Sequence, residues 1–358
     1  MEHFRKAVIL LLFFSISLAL LYVSRDLMVP LLMGGLLAML FLRPSRWLEQ
    51  KSWPRWLTSL TAIGILILGI TLIISLLGWQ ISQFSEHISE MKSRFTDQFE
   101  QMRNWIQTQI GISPEEQKQL LKVEAQTVNG SSGSIATFAT GTLSALLDVI
   151  LVLAYTFLLL YYRSKIKQFI LEITPSDKRT KTQKILQEAT GVTQQYLMGL
   201  LSMILALWVL FGIGFSLVGV EGALFFAVLC GIMEIVPFVG NLLGTSITLL
   251  AVLAQGGDGT QMLLVIVVYI IVQGIQTYLL EPLIVGNHVN INPLFIIIVL
   301  VAGELLWGIA GMVVAIPLIA IMKIVFDRIE PLQPYGRLIG SEKPTQQGRK
   351  FKQKTKEI

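Results

Sequence analysis

The sequence predicts an all-α protein: a polytopic membrane helical bundle with about eight membrane-embedded segments, some broken or re-entrant, and one long extramembrane amphipathic helix. Three observations carry this. Of 358 residues, 53% are hydrophobic and only 14% are charged, whereas a soluble domain carries about 25% charged residues. The mean hydropathy is +0.67, too apolar for a soluble surface of this size. The apolar runs also have the roughly 20-residue length of a bilayer core rather than the length of a strand.

The first run is Ala7 to Val23, preceded by Arg5 and Lys6. It has the start of a signal peptide, but no small-residue cleavage site follows and a second run, Leu27 to Leu42, begins almost at once. The two read as a hairpin turning at Ser24-Arg25-Asp26, with Pro30 in the first turn of the second helix, where proline is tolerated. Leu57 to Trp79 is the third span. Ile135 to Tyr162 is the fourth, with Tyr155, Tyr161 and Tyr162 placed as an interfacial belt. Tyr196 to Val218 is the fifth, Gly222 to Leu253 a sixth interrupted at Pro237 and Gly240, and Met262 to Leu280 the seventh. Leu294 to Lys323 is the eighth, interrupted near Gly303, Gly308 and Gly311.

Between the third and fourth spans, Ile81 to Ile110 forms one amphipathic helix. Phe84, Ile88, Met91, Phe95, Phe99, Met102 and Ile106 recur at steps of three and four, a continuous apolar stripe. Two uses fit it: packing on the protein's own fourth span or the bilayer, or contact between protomers of an oligomer. The chain thus divides into 1–79 with three membrane helices, an extramembrane helical segment 80–134, a fourth helix 135–162, a basic segment 163–194, a C-terminal membrane region 195–323 with broken helices, and a basic tail 324–358. The tail's polar composition predicts partial disorder.

Charge sets the orientation. Arg43 to Arg55 holds four basic residues and one acidic, Arg163 to Glu188 seven and three, and the tail from Lys323 nine and four. Gln80 to Val128 holds five basic and seven acidic. Lys and Arg accumulate on the cytoplasmic side. Eight crossings put both termini and both basic segments on that side. The net charge of +5 is therefore a topology signal, and nucleic acid is not an expected partner. The membrane lipid is.

No metal-ligand cluster, nucleophile triad or phosphate loop is visible. His3, His87 and His288 stand apart, and the one cysteine, Cys230, permits no intrachain disulfide. Neither an enzyme nor a metal or cofactor is expected. The informative stretch is Ile185 to Met322, which contains no Lys or Arg but does contain Glu234, Glu281 and Glu304. Asp148 stands alone in the fourth span. Ionisable groups inside a membrane are costly and face a cavity, a pathway or a partner, so these four are the candidate pathway or coupling residues. A carboxylate at the interface with its oxygens in water is the plainer use, and it suits Glu281 best.

The breaks matter as much as the charges. Pro237, Phe238, Gly240 and Asn241 form one candidate break; Pro282, Gly286 and Pro293 a second; Gly303, Gly308, Gly311 and Pro317 a third. Non-helical backbone at membrane depth is tolerated only in protein or against a cavity, and transporters hold solute and ions at such places. The same glycines also permit close helix approach.

These residues carry a resemblance. Gln195-Tyr196-Leu197-Met198-Gly199, Gly219-Val220-Glu221-Gly222, Glu234-Ile235-Val236-Pro237-Phe238-Val239-Gly240, Leu280-Glu281-Pro282-Leu283-Ile284-Val285-Gly286, Asn292-Pro293-Leu294 and Ala315-Ile316-Pro317-Leu318 together resemble the autoinducer-2 exporter (AI-2E) family of permeases. Asn241 departs from the proline often found there. The resemblance covers about residues 1–330. It implies a multi-pass transporter of the bacterial plasma (inner) membrane, assembled as a homo-oligomer, a homopentamer. It also implies roles ranging from export of the signalling molecule in quorum sensing to sodium/proton antiport.

The leading expectation is a permease or exporter of a small polar solute, possible cargo including an autoinducer-2-like molecule, driven by a gradient or by facilitated flow. A cation/proton antiporter using Glu234 or Glu304 is the first alternative. A non-transporting membrane scaffold, recruiting a partner through the extramembrane helix, is the second. A last expectation divides the labour: the first three spans and the stripe hold the oligomer, and the broken segments after residue 220 serve transport.

Overall fold

The computed structural model describes residues 2–85, 135–236, 239–285 and 291–341. Helices make up nearly all of them. The extended pairing among the described residues is a single bridge between Ile291 and Gly340. In chain order the helices are α1 Glu2–Val23, α2 Arg25–Leu40, α3 Leu42–Gln50, α4 Arg55–Ser85, α5 Ile135–Glu172, α6 Arg179–Val218, α7 Ala223–Met233, α8 Val239–Ala254, α9 Gly259–Ile275, α10 Pro293–Arg328 and α11 Gln333–Ile339. A π-helical segment, Gln276–Val285, continues α9. Among the described residues six helical stretches are long and apolar enough by length and composition to cross a membrane, the last of them, Pro293–Arg328, broken at Gly308, and the protein is a helical polytopic membrane bundle.

Two helices outrun the predicted spans. α5 does not stop at Tyr162 but runs on to Glu172, because no breaker occurs before Pro175. α6 begins at Arg179, well before the apolar run. Both extensions lie in the basic segment. The chain divides into two compact units: Met1–Ile65, Ile150–Ser202 and Glu281–Ile358 form the first, and Leu66–Val149 and Met203–Leu280 the second.

In the first unit, α2 lies against α5 so closely that a Cβ on Gly34 would fall 2.7 Å from Tyr155 Cβ. Ala38, Ala62 and Leu160 form the adjoining core. The eighth segment is not one rod. In a continuous helix Gly303 and Gly311 would stand about 12 Å apart. Here a Cβ on Gly303 would fall 2.6 Å from the carbonyl oxygen of Gly311. The chain turns at Gly308, whose φ of 63° and ψ of −147° suit a residue without a Cβ. Leu300 packs on Ala315 and Ile316, and Ile291 on Ile319 and Ala320. Arms 293–307 and 309–328 therefore form an antiparallel hairpin. Of the predicted third break only Gly308 is one. Gly303 and Gly311 are the surfaces where the arms touch, and Pro317 is buried within the second arm. Pro293 opens the first arm, where its missing N–H costs nothing, behind Asn292, whose side chain caps Leu294 N at 3.0 Å.

In the second unit the sixth segment is also two helices. α7 has 11 residues, a rise of about 16 Å, too short for a bilayer core of about 30 Å. α8 returns beside it. At the open end, Gln255 Nε2 donates to Glu221 O at 3.0 Å and Gln261 Nε2 to Gly219 O at 3.0 Å. Entry and exit of this hairpin are tied to each other, so both lie on one membrane face.

Some predicted features lie outside the described residues: Ile88, Met91, Phe95, Phe99, Met102 and Ile106 of the stripe, Pro237 and Phe238 of the first break, and Gly286. So do the side chains of Phe84, Asn241 and Pro282.

Candidate functional site

The site begins with the packing that closes the α7–α8 hairpin. Gly240, Gly244 and Thr248 recur every four residues on one face of α8. A Cβ on Gly240 would fall 1.9 Å from Met233 O, and one on Gly244 3.2 Å from Cys230 Cα. This is the small-residue contact that lets membrane helices meet backbone to backbone. Thr248 Oγ1 donates back to Gly244 O at 2.8 Å and lies 3.7 Å from Cys230 Sγ. Trp208 of α6 covers the outer side of α7, its Nε1 donating to Val228 O at 3.2 Å.

This packing carries Glu234 to the end of α7, where the helix gives way to turns before the Pro237 position. Glu234 is 6% exposed. Its Oε1 accepts a hydrogen bond from Nε2 of Gln276 at 2.7 Å. Gln276 is 1% exposed and stands where α9 widens into the π segment. π-turns inside helices are rare and concentrate at functional places. The segment also contains Pro282, which has no N–H to give to an α-helical ladder.

The electrostatics are unusual for a buried acid. The stretch 185–322 contains no Lys or Arg, and the hydrogen bond that Glu234 Oε1 accepts comes from an amide. A charge at the centre of a membrane helix costs about 3 kcal/mol on insertion scales. An amide N–H, a hydrogen-bond donor, meets the carboxylate and offsets part of that cost. Gln276 Oε1 is buried and has no donor among the described residues. A carboxylate beside a free amide carbonyl offers acceptors. Such a pair suits hydroxyl and ammonium donors, a proton or a small cation, and it is unsuited to an anion.

The other candidates fall elsewhere. Asp148 is exposed on α5, among exposed Leu147, Val149 and Ile150. Glu281 is exposed on the π segment, and Glu304 is exposed on the first arm of α10. Near that arm's tip, Trp307 Nε1 donates to Leu21 O at 3.0 Å. Among the described residues no group of His, Cys, Asp or Glu is placed to hold a metal ion. Gln276 is the residue that sequence reasoning did not single out as a site. Its signal was an amide deep in an apolar run, three residues after Gln273; its partner is 42 positions away in the chain.

Comparison with known proteins finds a family model and relatives that match most of the chain. A family model described as AI-2E family transporter matches residues 11–330. The chain is similar to “Putative transport protein YueF” of Bacillus subtilis (strain 168), 28% identical over 339 residues that cover 88% of this chain and 89% of that protein. It is similar to “Putative transport protein YrrI” of the same organism, 25% identical over 318 residues, covering 84% and 86%. It is also similar to “Putative permease PerM” of Escherichia coli (strain K12), 26% identical over 337 residues, covering 89% and 92%.

Proposed function

Since the chain belongs to the AI-2E transporter family and is a multi-pass membrane transport protein, we propose that it moves a small polar, uncharged or cationic solute past the broken α7–α8 hairpin, with Glu234 and Gln276 as the polar contacts on the path. One observation carries this: a buried carboxylate hydrogen-bonded to a buried amide at a helix break, in a stretch without a basic residue. Burial of that kind costs stability that packing alone does not require. No step here needs bond-making chemistry, so the protein acts as a permease or exporter and not as an enzyme. Gradient-driven or facilitated flow supplies the drive. The location is the bacterial plasma membrane, with both termini cytoplasmic, a reading the basic segments support.

The test is flux in proteoliposomes across a panel of polyols, sugars, amines and autoinducer-2. At least one solute gradient collapses faster than in empty vesicles. A panel in which none does overturns the proposal.

Burial of Glu234 favours a second reading, exchange of a proton for a cation at that carboxylate. An internal pH-sensitive dye reports it: Na⁺ added outside enters in exchange for a proton that leaves, so the lumen of vesicles holding the wild type alkalinises. Equal responses from wild type and a Glu234→Gln, Glu304→Gln double variant would remove both residues from the mechanism.

The stripe from Phe84 to Ile106 belongs to assembly in this proposal. A ring of protomers, a pentamer, repeats one heterologous contact around an axis, and unbroken apolar surface suits a static contact.

A further inference from the structure

Between α2 and α4 the chain does not simply turn. α3 leaves α2 at 47° and is tied through Glu49 to α4 and α5. Its inward side is fixed. Leu42 and Ser45 are buried, Thr58 Oγ1 of α4 donates to Glu49 Oε1 at 3.4 Å, and Glu49 is ion-paired with Arg163 of α5. The end of α3 is fixed too: Ser52 takes φ of 67°, Ser52 N donates to Glu49 O at 3.0 Å and Trp53 N to Leu48 O at 3.3 Å. That is the Schellman arrangement of a helix end.

What this locked frame turns outward is basic and aromatic. Arg43, Arg46, Lys51 and Arg55 are exposed, and among the described residues none of them forms an ion pair with a carboxylate. The one acid of the segment, Glu49, is spent on Arg163. Trp47, Trp53 and Trp56 are 55%, 41% and 53% exposed, and Lys51 Nζ sits 3.8 Å from the Trp47 ring centroid. Indole rings settle at the headgroup level of a bilayer, and basic residues beside them are drawn to anionic headgroups.

We propose that this face, α3 together with Lys51 to Trp56, binds the headgroups of anionic phospholipids, with the four cations on the phosphates and the three indoles between the acyl chain roots. Charge complementarity selects the occupant: four exposed cations without an ion-paired carboxylate among the described residues, set beside three exposed indoles. Each basic residue near an anionic surface adds attraction that salt screens. The same charges act as a topology signal during insertion; the proposal gives them a second use in the folded protein.

Tryptophan quenching by brominated lipids tests it on the full chain in vesicles. Wild type is quenched at a mole fraction of brominated phosphatidylglycerol roughly threefold or more below that of brominated phosphatidylcholine, in keeping with several basic contacts. An Arg43→Gln, Arg46→Gln, Lys51→Gln, Arg55→Gln variant brings the ratio to one. Lys165→Gln with Lys167→Gln, outside the patch, leaves it unchanged. Arg43→Lys, Arg46→Lys, Arg55→Lys keeps charge and topology and retains the preference, so the idea stays testable even where the neutral variant misinserts. In wild type the preference also collapses in about 1 M salt, where the Debye length is about 3 Å. A ratio of one in wild type, an equal loss in the control variant, or displacement by inorganic phosphate as effective as by lipid overturns the proposal. So does an acidic protein that blocks quenching while vesicles of either lipid do not differ.

Discussion

Glu234 Oε1 accepts a hydrogen bond from Gln276 Nε2 at 2.7 Å, and both side chains are buried. The bond joins the break of the α7–α8 hairpin to the first residue of the π segment, two irregular places in otherwise regular helices. The donor from Gln276 meets the carboxylate directly, so removing it is informative. Gln276→Leu leaves a buried acid without that partner, which costs about 1–3 kcal/mol. The expected result is a lowered unfolding temperature in detergent, with Gln276→Glu lower still because two acids would then share the place. Unchanged unfolding in both variants would mean that the bond is incidental.

Gly240 tests the hairpin itself. A Cβ there meets Met233 O at 1.9 Å, and backbone cannot yield as a flexible side chain can. Gly240→Ala is expected to destabilise by about 2–4 kcal/mol, read as loss of monodisperse protein on heating. Gly64→Ala and Gly69→Ala, where nothing lies within 4 Å, are the controls and are expected to be neutral or slightly stabilising, since alanine is the better helix former.

The hairpin also changes the predicted topology of one loop. A single crossing over 222–253 would put Glu221 and Thr260 on opposite faces. The bonds from Gln255 and Gln261 to Glu221 O and Gly219 O put them on the same face. In a Cys230→Ala background, Glu221→Cys and Thr260→Cys are expected to react with an impermeant maleimide from the same side of oriented vesicles. Labelling from opposite sides would restore the single crossing.

Much of this architecture was legible in the sequence. The spans followed from apolar runs and the break positions from Pro237 and Gly308, because backbone that cannot continue a helix announces itself locally. Whether a break kinks a span or reverses it was not legible. A reversal depends on Gly240 meeting Met233 and Gly303 meeting Gly311, contacts that periodicity does not encode. The partner of Glu234 was hidden for the same reason, since 42 residues separate Gln276 from it. Glu281, Glu304 and Asp148 looked alike as lone acids in apolar sequence; only their exposure in the fold separates them from Glu234.

The stripe makes a prediction about assembly. Phe95→Asp with Phe99→Asp places two charges in the middle of an apolar seam, and buried unpaired charge is costly. Native mass spectrometry in mild detergent is expected to show a smaller oligomer than wild type. An unchanged oligomer would assign the stripe to packing within its own chain or on lipid.

The central claim is that solute passes by Glu234. Its most direct test is the initial rate of solute or cation flux in proteoliposomes containing equal amounts of wild type, Glu234→Gln and Gly64→Ala. Glu234→Gln keeps the shape and a hydrogen-bonding amide but removes the acid. The account predicts that Gly64→Ala matches wild type while Glu234→Gln falls at least about tenfold, the size of a 1.4 kcal/mol effect on the limiting step. Wild-type flux from Glu234→Gln, in protein that inserts and unfolds normally, would contradict it.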